Sequence, residues 1–372
     1  MTSRDGIQTT DGVRLLSPRP SVLSKIERSV AATAPAVASA DTGGEGVRVG
    51  GPGWEARLKD LLGELSKSER ASLYAVRLDD RQGLPMPADT LLERTRTDWF
   101  PEFLSHGLMT PHFQPIVELT DGRAYGREAL MRGRLGATEV RGAELVAAAE
   151  AHDALFSFDA RARAAALEVG LPLMPDGEIL FVNLDPRVVI DVEGSLRTTW
   201  PIAERMGVGP GRLGLELISP DRCPDQDLLA DLVAAHRERG AIVALDDLSG
   251  GAESLICLET LRPDVAKIDR ILTAGIQHST GRRRLVAALV ECAHEQGCRV
   301  VAEGIERDSE FEVMRDLGVD LGQGFYFGQP TARPMAVDPR LVLPRLTAPS
   351  EAGFQDSRRP TLGAGGRSPV SH

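Results

Sequence analysis

From Pro111 onward the chain alternates between short apolar runs and longer stretches whose apolar residues recur every three or four positions. The first pattern marks strands and the second amphipathic helices. The strand-like runs are His112–Leu119, Ala124–Arg132, Glu178–Leu184, Arg212–Ile218, Ala241–Asp247, Asp264–Asp269, Arg299–Glu303 and Gln323–Phe327. Helical stretches between them include Gly142–Val169, Asp227–Arg239, Arg282–Gln296 and Ser309–Leu317. Repeated strand–helix alternation implies a parallel sheet with helices outside. Eight strands in about 220 residues suit a (β/α)8 barrel. Thr120-Asp121-Gly122, between the first two runs, is a hairpin signal, which sets those two strands antiparallel. The expected fold is α/β: a modified TIM barrel with its first strand antiparallel, over residues 108–346.

The pattern ahead of the barrel is weaker. Residues 1–53 are rich in Ser, Thr, Ala, Gly and Pro and are expected to be a disordered tail, with at most a transient helix at Val22–Val30. Over residues 54–107, Trp54, Leu58, Leu61, Leu62 and Leu65 follow helical spacing. Ser72–Leu78 fits either a short strand or a continuing helix, and Thr90–Leu104 is again helical. A helical extension packed on the barrel, or a dimerisation arm, is the expectation. Residues 347–372 have the composition of a second solvated tail.

Parity along the strands locates candidate chemistry, because side chains alternate faces. Leu213, Leu215 and Leu217 share a face suited to the helix layer, which turns Glu216 inward. The same reading groups Ile179 and Phe181 with Asn183, Val265 with Lys267, and Val301 with Glu303. Polar groups therefore recur near strand ends: Glu128, Asn183, Glu216, Asp246 and Asp247, Lys267, Glu303 and Gln323. Only Gln323 is out of place, opening its strand as drawn. Taken alone, Asp246-Asp247 also fits a helix N-cap with an Asx turn. Carboxylates converging from several strand ends match the carboxyl rim where such barrels carry active sites. Their mutual repulsion calls for cations, and oxygen donors without histidine favour hard ions such as Mg2+ or Mn2+. Two ions sharing an aspartate would suit in-line attack on a phosphodiester. Lys267 among these acids should be charged, to orient water or stabilise the transition state.

Composition narrows the partners. A formal net charge of -11 argues against a nonspecific nucleic-acid or membrane binder. The four cysteines have no CxxC spacing and read as reduced thiols of a cytoplasmic protein. No apolar run is long enough to predict membrane insertion, and no secretory pattern opens the chain. His112, His152, His236, His278 and His294 are expected at the surface or in caps, and Asp269 and Arg270 as a rim ion pair. No nucleotide-cyclase motif is visible.

Seven motifs carry a family resemblance. Phe113-Gln-Pro-Ile-Val117 with Gly126-Arg-Glu-Ala-Leu-Met-Arg132 resembles the opening of the EAL domain. Phe181-Val-Asn-Leu-Asp-Pro186, Leu215-Glu-Leu217, Leu245-Asp-Asp247, Lys267-Ile-Asp-Arg270, Val301-Ala-Glu-Gly-Ile-Glu306 and Gln323-Gly-Phe-Tyr-Phe327 resemble its later motifs, in order, over residues 111–333. The resemblance implies a cyclic di-GMP phosphodiesterase that makes the linear dinucleotide with Mg2+ or Mn2+ at a two-metal site. It implies that Glu128, Asn183, Glu216 and Asp246 are metal ligands and that Asp247 binds the second metal. By the same match, Lys267 lies near the attacking water and Glu303 is a metal ligand or general base. Gln323 falls at the metal and water site, and Gln114, Leu130 and Arg132 contact the ligand. A homodimer is also implied, while a signalling partner acting through the N-terminal region is left open.

One stretch departs from the family pattern. Asp247-Leu-Ser-Gly-Gly-Ala-Glu-Ser-Leu255 stands where the family commonly has Asp-Phe-Gly-Thr-Gly-Tyr-Ser-Ser-Leu. Ser219 replaces a glutamate that steadies this loop, and serine cannot supply the same charge-assisted bonds. Two functions follow: a working phosphodiesterase, favoured by the complete set of polar strand ends, or a catalytically weak or inactive cyclic di-GMP receptor or protein-interaction module, favoured by the altered loop.

Overall fold

The computed structural model describes residues 11–33, 38–40, 46–80, 83–218, 220, 223 and 225–342. Ser219 and the expected C-terminal tail at 347–372 lie outside the described residues.

The first elements are β1 (Gly12–Leu16), α1 (Pro20–Thr33), β2 (Ala38–Ala40), β3 (Val47–Gly50), α2 (Trp54–Glu64), α3 (Lys67–Arg70), β4 (Tyr74–Arg77), β5 (Met86–Pro87) and α4 (Ala88–Arg96). They build an antiparallel sheet in the order β2-β3-β1-β4-β5. Its first four strands with α1 and α2 make a split βαβ arrangement. Val13, Leu15, Ile26, Val49, Trp54, Leu58 and Leu73 form its own core. This corrects two expectations. Much of the stretch read as a tail is folded, and the extension is not purely helical. The strands are short, and the Ser-, Gly- and Pro-rich segments around them mask their alternation in any composition average. Val13 and Leu15 flank Arg14 in strand alternation, and both are fully buried.

The remaining elements are α5 (Phe100–His106), β6 (Leu108–Glu118), β7 (Ala124–Leu135), β8 (Thr138–Arg141), α6 (Gly142–Ala151), α7 (Leu155–Gly170), β9 (Ile179–Leu184), α8 (Val192–Arg205), β10 (Leu213–Leu217), α9 (Gln226–Glu238), β11 (Ile242–Leu248), α10 (Ala252–Leu261), β12 (Val265–Ile268), α11 (Arg270–Thr273), α12 (Thr280–Glu295), β13 (Arg299–Ala302), α13 (Asp308–Asp316) and β14 (Leu321–Gln323). Eight strands close into a ring in the order β6-β14-β13-β12-β11-β10-β9-β7, with β7 returning to β6. Within that ring β6 is antiparallel to both neighbours, and every other pair is parallel. The fold is therefore the modified TIM barrel expected. The short β8 lies outside the ring, paired to β7.

Several boundaries differ from the sequence reading. The stretch Gly142–Val169 is two helices, broken at Asp153, whose φ is 51°. α8 and α10 are additional helices. α8 is capped by Asp191, which accepts from Gly194 N, and it contains Pro201. β14 ends at Gln323 instead of beginning there. His236 is buried, against the expectation of a surface site. Trp200 Nε1 donates to its Nδ1 at 3.1 Å and Ser195 Oγ sits 3.1 Å from Nε2. Burial, then Arg163 and Arg239, pushes its imidazole down to about 4, so it packs as a neutral ring.

Inside the barrel, Ile116, Ile179, Phe181, Ala244, Val265, Val301 and Leu321 form a compact apolar plug. Gly214 makes room for it, since a Cβ there would stand 2.3 Å from Phe181 Cδ1. The plug ends one inward-facing position short of the strands' carboxyl ends, and the polar residues begin there.

Candidate functional site

Each of the eight ring strands contributes one polar side chain to the layer above the plug: Gln114 (β6), Glu128 (β7), Asn183 (β9), Glu216 (β10), Asp246 (β11), Lys267 (β12), Glu303 immediately after β13, and Gln323 (β14). Period-two alternation dictates most of this. Phe181 and Asn183 share a face, as do Gly214 and Glu216, and Val265 and Lys267. Gln323 joins them because its strand ends there, which removes the one exception in the sequence reading.

Lys267 lies at the centre. Its side chain is 1% exposed. Its Nζ is 2.6 Å from Glu303 Oε1, 3.2 Å from Glu128 Oε2 and 3.5 Å from Asp246 Oδ1, and it also donates to Glu216 Oε1. Burial opposes its charge, but Asp246, Glu128, Glu216 and Glu303 outweigh burial and hold the ammonium protonated well above the ordinary lysine range. Glu128 is further held by Asn183 Nδ2 at 3.2 Å and Gln323 Nε2 at 2.7 Å. Burial acts against its ionisation, and Lys267 and the two amides reverse that, leaving the carboxyl below its usual value. Gln323 Nε2 also reaches Gln114 Oε1 at 3.2 Å, and Gln114 Nε2 donates to the Gly328 carbonyl at 3.2 Å.

The remaining acids are poorly compensated. Burial, reinforced by the charge of Glu128, pushes Glu216 well above the usual carboxyl value. Burial, with Asp246 and Glu128, pushes Glu303 up to about 8. Asp246 is raised as well, by burial first. Glu216 Oε2 and Gln323 Oε1 are buried without a hydrogen-bond partner. Orphaned buried oxygens are expensive, and Glu216 also feels the charges of Glu128, Asp246 and Glu303. Hard oxygen donors held close together suit a divalent cation. Two groups have ligand atoms within 4.8 Å of one another: Glu128, Glu216 and Glu303, and Asp246, Asp247 and Glu303. The carboxylate common to both is Glu303, where the sequence reading put a shared aspartate.

Asp246 and Asp247 reach the site through a β-bulge. Ala244 and Leu245 pair with Val265 and Ala266, and Leu248 then pairs with Ile268. Two residues of β11 thus oppose Lys267 alone. Asp247 takes φ 62°, a left-handed conformation that Asp tolerates better than most side chains. Asp247 is solvent-exposed, yet local desolvation, then Asp246 and Asp269, pushes its carboxyl up to about 6. Sequence reading missed the role of Asp269. It caps α11 through Ile271 N and bonds the Asp247 side chain, while Arg270 pairs with Glu306 at 2.7 Å. The expected Asp269–Arg270 pair therefore does not form, because the helix cap claims the aspartate.

Leu130 and Arg132 follow Glu128 on the same face of β7, both half-buried. Across β6, Gln114, His112 and Thr110 stand opposite Glu128, Leu130 and Arg132. The three ligand-contact candidates thus border the carboxylates on one side.

Comparison with known proteins agrees with this architecture. The EAL domain family profile matches residues 97–330. The probable cyclic di-GMP phosphodiesterase PdeB of Escherichia coli is 27% identical over 232 residues, covering 59% of this chain and 42% of that protein. The cyclic di-GMP phosphodiesterase NbdA of Pseudomonas aeruginosa is 28% identical over 229 residues, covering 59% of this chain and 28% of that protein. Less than half of either relative is thus spanned. Among solved structures, a standalone EAL protein from Vibrio cholerae, in its c-di-GMP-bound form, superposes with a TM-score of 0.57 at 25% identity, over 63% of this chain and 97% of that one.

Proposed function

This chain belongs to the EAL domain family, and from that premise we propose that it hydrolyses cyclic di-GMP to linear pGpG with Mg2+ or Mn2+. The observation that carries the reading is the eight-strand polar layer, in which four carboxylates surround one buried ammonium and buried oxygens of Glu216 and Gln323 lack hydrogen-bond partners. Glu128, Asn183, Glu216 and Asp246 would hold one ion, and Asp247 with Glu303 the other. When bound, the two ions supply Lewis acidity at the phosphodiester and an activated water.

The chain's own groups do the rest. Lys267 keeps a fixed positive charge in a water-poor site, where it stabilises negative charge developing on the phosphoryl oxygens. Glu303, ionised once cations occupy the site, would accept the proton of the attacking water. Water oxygen joins phosphorus, the bond from phosphorus to the 3′ oxygen breaks, and that oxygen takes a proton from solvent to become a hydroxyl. Leu130 and Arg132 hold the nucleotide, the guanidinium by a bidentate contact that lysine could not reproduce. The test is incubation of the purified protein with cyclic di-GMP and either ion, with Glu128→Ala as control. Linear product from the parent, and a loss of about 100-fold or more in the variant, is expected. Tight binding without product at any metal concentration would establish the second reading, a cyclic di-GMP receptor. That reading is favoured by the altered loop around exposed, left-handed Asp247.

A further inference from the structure

β7 is 12 residues long, but it pairs with β9 only from Gly126 to Glu128. Beyond Glu128 it rises past the rim, flanked by β6 and by β8. These strands form a three-stranded flap beside the carboxylate layer. On the face that carries Glu128, strand parity places Leu130 and Arg132, and Arg141 of β8 stands directly opposite Arg132. Like charges opposite one another in a sheet destabilise it. The offset within the described residues is partial: Glu139 and Glu128 attract Arg132 without forming an ion pair with it. The Arg132 guanidinium donates to the Met131 carbonyl at 2.9 Å. Among the described residues no carboxylate forms an ion pair with Arg132 or Arg141; Glu139 acts on Arg132 only at longer range. Arg132 is half-buried and Arg141 exposed, so the pair opens toward solvent beside the site. Arg141 is also the residue at the N-terminus of α6, and its side chain makes no cap bond.

The ligand of the proposed function carries two phosphodiester anions in one ring. The metal site accommodates one. The other would be held near five carboxylates and repelled unless a cation faces it. Arg132 lies four residues beyond Glu128, about 13 Å along the strand. We propose that Arg141 joins Arg132, the ligand contact that the family match already implies, to complete a second anion subsite for the phosphate of the cyclic dinucleotide that is not cleaved. Arg141 is its specificity-determining member, and two guanidiniums favour a ligand with two phosphates over a single diester. This rests on the cyclic di-GMP reading above.

The experiment is calorimetric titration of the full chain with cyclic di-GMP in EDTA, comparing the parent with Arg141→Ala and Arg134→Ala. Arg134 is an exposed neighbour that faces Glu139 across the same two strands. Arg141→Ala is expected to weaken binding by about 10- to 100-fold. It should leave the melting temperature unchanged or higher, since a repulsive pair is removed. Arg134→Ala should bind as the parent does. Equal affinity of the parent and Arg141→Ala overturns the subsite alone. So does an equal loss in Arg134→Ala, which would mark a general field effect. Absence of binding by the parent, together with no hydrolysis in Mg2+, overturns the proposed function itself.

Discussion

Replacing Lys267 by methionine tests the electrostatic core of the site. Methionine keeps the length and apolar body of the side chain but removes the ammonium that touches Glu128, Glu216, Asp246 and Glu303. Deleting one partner of a buried ion pair costs about 3–5 kcal/mol, because the other is left uncompensated. A domain of this size shifts its melting temperature by about 2–4 °C per kcal/mol, so the metal-free variant should melt about 6–20 °C lower at pH 8. The sign of the pH dependence follows from the carboxyls. With the ammonium gone, the folded values of Glu216, Asp246 and Glu303 rise further above the unfolded carboxylate range, and Glu128 loses the charge that holds it below that range. The raised carboxyls then add stability at acid pH and lose it as pH rises through those folded values. The deficit should therefore narrow as pH falls from 8 toward 5. Added Mg2+ should also narrow it by restoring positive charge. The assay is thermal denaturation in EDTA and in Mg2+ across that range. A metal-free variant melting within about 2 °C of the parent at pH 8 would refute the assignment of Lys267 as the counter-ion of the cluster.

Two further outcomes follow from the same geometry. The metal-free protein holds Glu303 at about 8 and Asp247 at about 6, so at neutral pH protons must leave when a divalent cation binds. Titrating Mg2+ calorimetrically in two buffers of different ionisation enthalpy should show proton release, larger at pH 6.5 than at pH 8.5, and identical heats in both buffers would contradict it. Arg262 ends α10 in a left-handed conformation with φ 43° and is exposed. Arg262→Gly should therefore raise stability by about 0.5–1 kcal/mol in chemical denaturation, and a loss would show that its side chain supports the helix end.

Most of the barrel was legible because its strands obey a period of two and end in residues that do not belong in a core. Glu216 is the clearest case. Leucines on alternate positions fix the outward face, so the glutamate between them has to point inward, and it is fully buried there. The N-terminal sheet was not legible, because β1 and β3 are short and Gly- and Pro-rich segments dilute their pattern. His236 was misread because its burial depends on Trp200 and Ser195, which only the packing of α8 against α9 brings to it.

The aspartate pair shows where alternation itself stops being informative. Strict alternation sends adjacent side chains to opposite faces, so it allows only one of Asp246 and Asp247 to meet Lys267. The bulge in β11 sets both opposite that lysine, with Asp247 in a left-handed conformation, and the register resumes at Leu248. Leu248 is buried in the outer core. It anchors the far side of the bulge where the family pattern has phenylalanine. Gly250 lets the chain turn at φ 82°, and a Cβ there would approach Leu285 of α12 to 3.0 Å. The departures within this loop therefore begin immediately after a left-handed residue whose carboxyl belongs to one of the two candidate metal groups. Changes at Leu248 and Ser249 bear on how firmly Asp247 is held, while Glu128, Glu216 and Lys267 sit on regular strands that the loop does not shape. Loop variation in this chain should consequently act on the metal group that includes Asp247 before it acts on the other.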